Sequence, residues 1–210
     1  MQIRNTEKSE YRLVEELTRK AFWNLHIPGC DEHYLAHKLR NHKDYIPELD
    51  FVAVKDGNVV GNIMYSHSYL QDGNHKLATL TFGPVSVLPE FQRKGIGSEL
   101  ITHSIEAVKK SMVNAIIIFG NPSNYCKFGF VGSKSVNIAT PDGRHPCALL
   151  VKELKKGVFA NHKWHYFEST AYEVNQDGFD EYDATFEKME KKYQYTQELF
   201  SILSNAYIEG

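Results

Sequence analysis

Residues 89–100 read PEFQRKGIGSEL, and they place Gly95 and Gly97 where an apolar-periodic helix begins. From there Ile96, Leu100, Ile101, Ile105 and Val108 share one face of a helix running to about Lys110. Glycine is a poor helix former, so its use here needs a reason. A helix start carries N–H groups with no intrahelical acceptor, and aligned peptide dipoles add partial positive charge. An anion bound there satisfies both, and glycine removes the Cβ that would hold its oxygens away. The pair costs up to about 2 kcal/mol of helix propensity, which several N–H bonds to a phosphate offset. Arg93 and Lys94 add charge at the mouth, so Gln92 to Ser98 read as a pyrophosphate cradle. On spacing alone, a glycine pair that lets the helix lie close on a sheet is an equal reading. The common nucleotide loops fit less well: GxxxxGK[ST] is absent, and GxGxxG would need a third glycine.

Outward from this stretch, LATLTFGPVSV (77–87) is a strand interrupted at Gly83-Pro84, which predicts a bulge or an unpaired segment. AIIIFG (115–120) reads as a strand buried on both faces. NPSNYCKF is a short helix or turn closed by Gly129-Phe130, and VNI and CALLVKEL are strands around the turn PDGRHP. Upstream, MQIRN reads as a first strand. A helix capped by Thr6 or Ser9 runs to about Phe22 with Leu13, Val14, Leu17 and Ala21 on one face. DEHYLAHKLR is a second helix with Tyr34, Leu35 and Leu39 apolar. LDFVAVKDGNVVGNIMYSHSYL is a hairpin about Asp56-Gly57, and QDGNHK turns into the next strand. In the tail, WHYFESTAYEV reads as a strand, and DEYDATFEKMEKKY and TQELFSILSNAY as helices. The order predicts an α/β (α+β) chain with a mixed sheet and helices on both faces.

The 210 residues fit one domain with an extension; 42% are hydrophobic and 24% charged, enough apolar material for a core. A net charge of −2 supplies no field for nucleic acid. Three scattered cysteines without a CxxC pair, no apolar leader at the N-terminus and no run of about 20 apolar residues point to a cytoplasmic, non-membrane protein.

Val85-Ser86-Val87 followed by Gln92-Arg93-Lys94-Gly95-Ile96-Gly97 resembles the cofactor motif of the GNAT superfamily of acyl-CoA N-acyltransferases, Q/R-x-x-G-x-G/A after a V-x-V strand end. Tyr125-Cys126-Lys127-Phe128-Gly129-Phe130 matches the family's Y-x-x-x-G-F, one helix and one strand further on. The resemblance covers about residues 1–155, is strongest over 77–130, and looks like a bacterial small-molecule or peptide N-acetyltransferase. It implies a mostly antiparallel sheet splayed in the middle, residues 1–156 as the acetyltransferase domain, and 157–210 as a strand and helix extension on the same domain. It implies acetyl-CoA as cosubstrate, its pantetheine paired with the backbone of Val85, Ser86 and Val87. Its pyrophosphate would lie on Gln92, Arg93, Lys94, Gly95, Ile96, Gly97 and Ser98. Asn121, Ser123 and Asn124 would stand near the thioester, although Asn121 precedes Tyr125 by only four residues, short of the family's longer spacing. Tyr125 takes the place of the general acid.

A thiolate leaving group has a pKa near ~8.5 against ~10 for tyrosine, so in the role the resemblance implies Tyr125 would donate a hydrogen bond early and the proton late; read without the resemblance, it is an apolar plug with its hydroxyl in water. An acceptor amine near pKa ~10.4 must first lose a proton. Glu32, His33 and His67 are the candidates for that base, and none has a motif of its own. His33 and His37, four residues apart, read as a solvated face rather than a metal pair, Cys126 as a small buried thiol, and Lys152, Lys155 and Lys156 as solvated. No metal is expected. The tail lies beside the acceptor cleft or forms a homodimer contact. The competing functions are a non-catalytic acyl-CoA-binding sensor or scaffold, and nucleotide binding at the glycine loop.

Overall fold

Alternating and continuous apolar runs pair into one sheet, in a computed structural model that describes residues 1–173 and 178–209. Its strands are β1 (Gln2–Asn5), β2 (Phe51–Lys55), β3 (Asn58–Asp72), β4 (His75–Val87), β5 (Ala115–Phe119), β6 (Val131–Gly132), β7 (Ile138–Ala139), β8 (Leu149–Glu153) and β9 (Trp164–Phe167). The main order is β1-β2-β3-β4-β5-β8-β6, with β9 pairing β3 and β7. Pairing is antiparallel except for β4 with β5 and β7 with β9. The Asp56-Gly57 turn has positive φ at both residues, the geometry that matches strand twist in a two-residue hairpin.

The helices are α1 (Tyr11–Phe22), α2 (Glu32–Arg40), α3 (Ile96–Lys109), α4 (Pro122–Tyr125), α5 (Phe179–Asp183) and α6 (Tyr195–Asn205). The expected apolar face of α3 is buried in full and packs on Ile63, Tyr65, Leu80, Phe82, Ile116 and Ile118. Close approach of α3 to the sheet depends on Gly61, where a Cβ would meet Leu100 Cδ1 and the Ser86 carbonyl oxygen at 3.0 Å. α1 packs on the opposite side, with Val14 and Leu17 against Val52 and Val59.

Several local expectations change. Among the described residues no side chain caps α1; a 3-10 turn, with Glu7 and Glu10 bonding each other's backbone, leads into it, while the Thr6 hydroxyl donates to Asp50 at 2.5 Å. Leu13 is exposed, and the inward face carries Glu15, Thr18 and Arg19 beside Val14 and Leu17. α2 buries His33, Ala36 and Leu39, leaving Tyr34 and Leu35 only half-buried.

The tail departs most. The strand read over WHYFESTAYEV ends at Phe167, after which Ser169 caps a 3-10 turn and bonds Asp44; its last residue, Val174, lies outside the described residues. The helix read over DEYDATFEKMEKKY stops at Asp183. Side chains of α1 and the residues just after it take the backbone that helix would have used. Arg19 donates to the Glu187 carbonyl at 2.8 Å, and Trp23 and Asn24 donate to that of Glu190 at 2.9 and 3.0 Å.

Candidate active site

β4 and β5 are registered only at Leu80 opposite Ile116. Beyond that point β4 keeps β3 as its partner, with one extra residue inserted about Gly83-Pro84, while β5 continues along β8. Thr81–Val87 and Ile117–Phe119 therefore face each other across a gap with no strand pairing. Unpaired strand backbone is a template for an extended, amide-bearing chain. Val85 and Val87 are half-buried there, while the buried Ser86 hydroxyl points away and shares a 2.8 Å hydrogen bond with Thr18.

The helix start adjoins this gap. Gln92, Arg93, Lys94 and Gly95 are exposed, so the described residues do not wall in the N-terminus of α3, and no described side chain caps it. Gly95 is the N-cap at φ +87°, a conformation that costs a side chain dearly, and Arg93 is also left-handed at φ +58°. Successive residues in such turns aim their N–H groups into one concavity. Gly97 differs: a Cβ there would meet only Val87 Cγ2 at 3.7 Å, ordinary contact. Packing requires glycine at Gly61, not at Gly97, so the bare surface at Gly97 is free for a ligand.

Other cradle residues divide their work. Gln92 spends its N–H on Pro89 and its side chain on the Val87 carbonyl, at 3.2 and 3.0 Å, fixing the loop to the strand end. Lys94 reaches back to the Glu90 carbonyl at 2.7 Å. Ser98 accepts a 3.1 Å hydrogen bond from Lys127, which brings a further cation to the cradle and ties the two glycine-bearing motifs together. Sequence reading missed Lys127; its place in the Tyr125–Phe130 element was the available signal.

Tyr125 ends α4, with its ring among Phe82 and Phe130 at centroid distances of 5.7 and 6.1 Å. Burial raises its pKa, so the phenol is a proton-bearing donor at neutral pH, and no described residue hydrogen-bonds its hydroxyl. The ring lies over Gly120 so closely that a Cβ at Gly120 would strike it. Lys152, expected to be solvated, is half-buried and donates to the Phe128 carbonyl at 2.6 Å, anchoring the turn that follows Tyr125. Asn121 caps α4 by accepting from the Ser123 N–H and hydroxyl at 3.0 and 2.9 Å, and Asn124 is exposed. Cys126 is exposed, not buried, because that turn directs Tyr125 and Phe128 inward instead.

On the other side of the gap lies a cavity of 530 Å³. Phe119 of β5, His67 of β3, Tyr166 of β9 and the following Glu168 are among its lining residues. Of the three residues considered as a base, only His67 reaches it. Glu32 pairs with His26 at 2.9 Å. His33 does not lie on a solvated face: it is fully buried, 3.1 Å from Asp183 and 3.5 Å from the Cys30 sulfur. Burial drives the Cys30 thiol well above its usual range and the His33 imidazole down to about 4, so both are neutral and inert. Among the described residues no three His, Cys, Asp or Glu side chains cluster as metal ligands, and no helix is long and apolar enough to cross a membrane.

An open α/β sheet parted beside an uncapped helix start offers unpaired strand backbone and free N–H groups to an extended, anion-bearing ligand. The family model described as acetyltransferase (GNAT) matches residues 13–130, more than half of the chain, and the chain belongs to that family. An uncharacterised N-acetyltransferase of Escherichia coli K12, YjhQ, is 25% identical over 125 residues, covering 60% of this chain and 66% of that protein. The fold is also that of the E. coli GNAT N-acetyltransferase YhbS, solved with CoA. That likeness has a TM-score of 0.71 at 18% identity and covers 82% of this chain and 92% of that one. A GNAT acetyltransferase of Brucella melitensis, solved with acetyl-CoA, has a TM-score of 0.65 at 22% identity, covering 81% and 97%.

Proposed function

We propose that this protein transfers the acetyl group of acetyl-CoA directly to a primary amine of a small molecule or peptide. The observation that carries the reading is the unpaired gap between β4 and β5, opening beside the exposed start of α3. In this reading the N–H groups from Arg93 to Ser98 hold the pyrophosphate, with Arg93, Lys94 and Lys127 balancing its charge. The backbone of Val85–Val87 receives the pantetheine as an added strand. Gln92 holds the loop, and Asn121, Ser123 and Asn124 form the turn that presents Tyr125 near sulfur. The amine attacks the thioester carbonyl, the C–S bond breaks, and Tyr125 protonates the departing thiolate. Residues 1–156 form the transferase domain, and 157–210 extend the same domain and close the acceptor side. The reading also takes the protein to be cytoplasmic. If it forms a homodimer, α6 supplies the contact, since Tyr195, Leu199 and Ile202 expose apolar surface along it.

The test is CoA thiol release with a panel of amines, beside calorimetry with acetyl-CoA. Release with at least one amine is expected. Tight binding without release for any amine would instead make the protein an acyl-CoA sensor or scaffold. A melting temperature raised more by ATP than by acetyl-CoA would point to nucleotide binding.

A further inference from the structure

Glu168 follows β9 directly and has no hydrogen bond or ion pair among the described residues. It lines the 530 Å³ cavity on the far side of the strand gap from Tyr125, together with Phe119, Tyr166, Asp44 and Glu173. Its position relative to the gap is fixed by two tyrosines. Tyr166 bonds the Thr81 hydroxyl, and Tyr172 donates to the Gly83 carbonyl at 3.2 Å, so both reach β4 where it leaves β5. Burial raises the pKa of both phenols, and the charge of Glu168 adds to the rise. Glu168 therefore lies in the chain between the two tyrosines that reach β4, and it lines the cavity.

The remaining walls describe what enters. Phe119 and Tyr166, with ring centroids 6.1 Å apart, give it aromatic surface. Asp44, Glu168 and Glu173 give it carboxylates; among the described lining residues Lys43 is the one lysine or arginine, and His67 the one histidine. Although Glu168 is exposed, protein around it displaces water, and this together with the charge of Glu173 pushes its carboxyl up to about 7. A carboxylate held near the working pH suits proton abstraction, and a cation placed between two repelling carboxylates relieves both.

Resting on the acetyl-transfer reading, we infer that this cavity takes a cationic primary amine with an apolar body and no carboxylate, and that Glu168 is its general base. One ammonium proton passes to Glu168 and then to solvent. The freed amine forms the C–N bond as the C–S bond breaks. The second nitrogen proton balances the one that Tyr125 gives to the thiolate.

Two substrate pairs differ by a single carboxylate: tyramine against tyrosine, and cadaverine against lysine. The decarboxylated member of each should show at least ~10-fold higher kcat/KM, since like charge in a partly desolvated pocket is worth at least one ~1.4 kcal/mol step. Glu168→Gln should lower kcat by ~10²-fold or more without changing acetyl-CoA affinity. In the wild type, kcat/KM should rise with pH through about 7; in Glu168→Gln that inflection should vanish, and in Glu173→Gln it should move lower. An equal or better carboxylated substrate in either pair, or an unchanged kcat and pH profile in Glu168→Gln, overturns the inference. Wild-type protein that binds acetyl-CoA but turns over none of the four amines also overturns it and leaves the cofactor site standing. Failure to bind acetyl-CoA removes the parent reading itself.

Discussion

The two sides of the strand gap are built in different ways. On the side proposed for the cofactor, residues 77–130 run strand, loop, helix, strand and turn in one continuous stretch, and the groups proposed to hold it are mostly backbone N–H. On the side proposed for the acceptor, Asp44, His67, Phe119 and the Tyr166–Glu168 segment come from four places in the chain. A continuous backbone site tolerates few residues at its critical positions, so it leaves a readable pattern. A site assembled from distant side chains leaves none, because each residue gains its role only from neighbours the fold supplies.

The sharpest way to break this comparison is Gly97→Glu. It places bulk and negative charge where the pyrophosphate would lie, and acetyl-CoA affinity should fall by ~10³-fold or more, read by calorimetry. Gly97→Ala separates the two explanations of the glycine. Its Cβ fits against Val87 at 3.7 Å, so the fold should keep its thermal midpoint while affinity still drops. Retained micromolar binding in Gly97→Glu would sink the cradle and leave Gly97 without a functional explanation.

The tail has a weakness of a different kind, set by pH. His33 is fully buried beside Asp183, which Arg19 also binds at 2.8 Å, and these contacts hold α5 against α1 and α2. Burial lowers the pKa of His33 in the folded protein to about 4, from an ordinary 6.5. Between these values the unfolded chain binds the extra proton, so stability is full above pH 6.5 and is lost as pH falls toward 4. The loss should be on the order of 3 kcal/mol, read as a falling urea midpoint between pH 6.5 and 4. His33→Gln should flatten that slope. A slope unchanged in the variant would assign the acid sensitivity to other groups.

How far the sequence carried the reading follows the same division. The α3 face, the AIIIF strand and the interruption at Gly83-Pro84 were legible because periodicity and glycine or proline act locally. The fate of residues 184–194 was not legible. Their helical pattern loses to hydrogen bonds from Arg19, Trp23 and Asn24, more than 160 residues away in the chain. Glu168 was missed for the same reason, since its shifted acidity depends on Glu173 and on the wall around it. Gly61 and Gly120 were passed over because nothing in their immediate sequence tells which helix or ring will come to rest on them.

Smaller effects test whether the two sides meet at Tyr125. Tyr125→Phe removes only a hydroxyl with no partner among the described residues, so it should lower kcat by ~10–100-fold and leave acetyl-CoA affinity intact. Equal turnover would remove the acid role.

Gly120→Ala should act through the same hydroxyl at a distance. The added methyl strikes the Tyr125 ring, and the ring must shift on α4 while the cradle, more than twenty residues upstream, stays in place. A several-fold drop in kcat with unchanged acetyl-CoA affinity is expected. Displaced ring and lost hydroxyl are one defect, so Gly120→Ala added to Tyr125→Phe should lower kcat little further, although the methyl still meets a phenylalanine ring and its cost in stability remains. If the two kcat losses multiply instead, Gly120 has a role of its own at the end of β5, and the position of the Tyr125 ring is not what it controls.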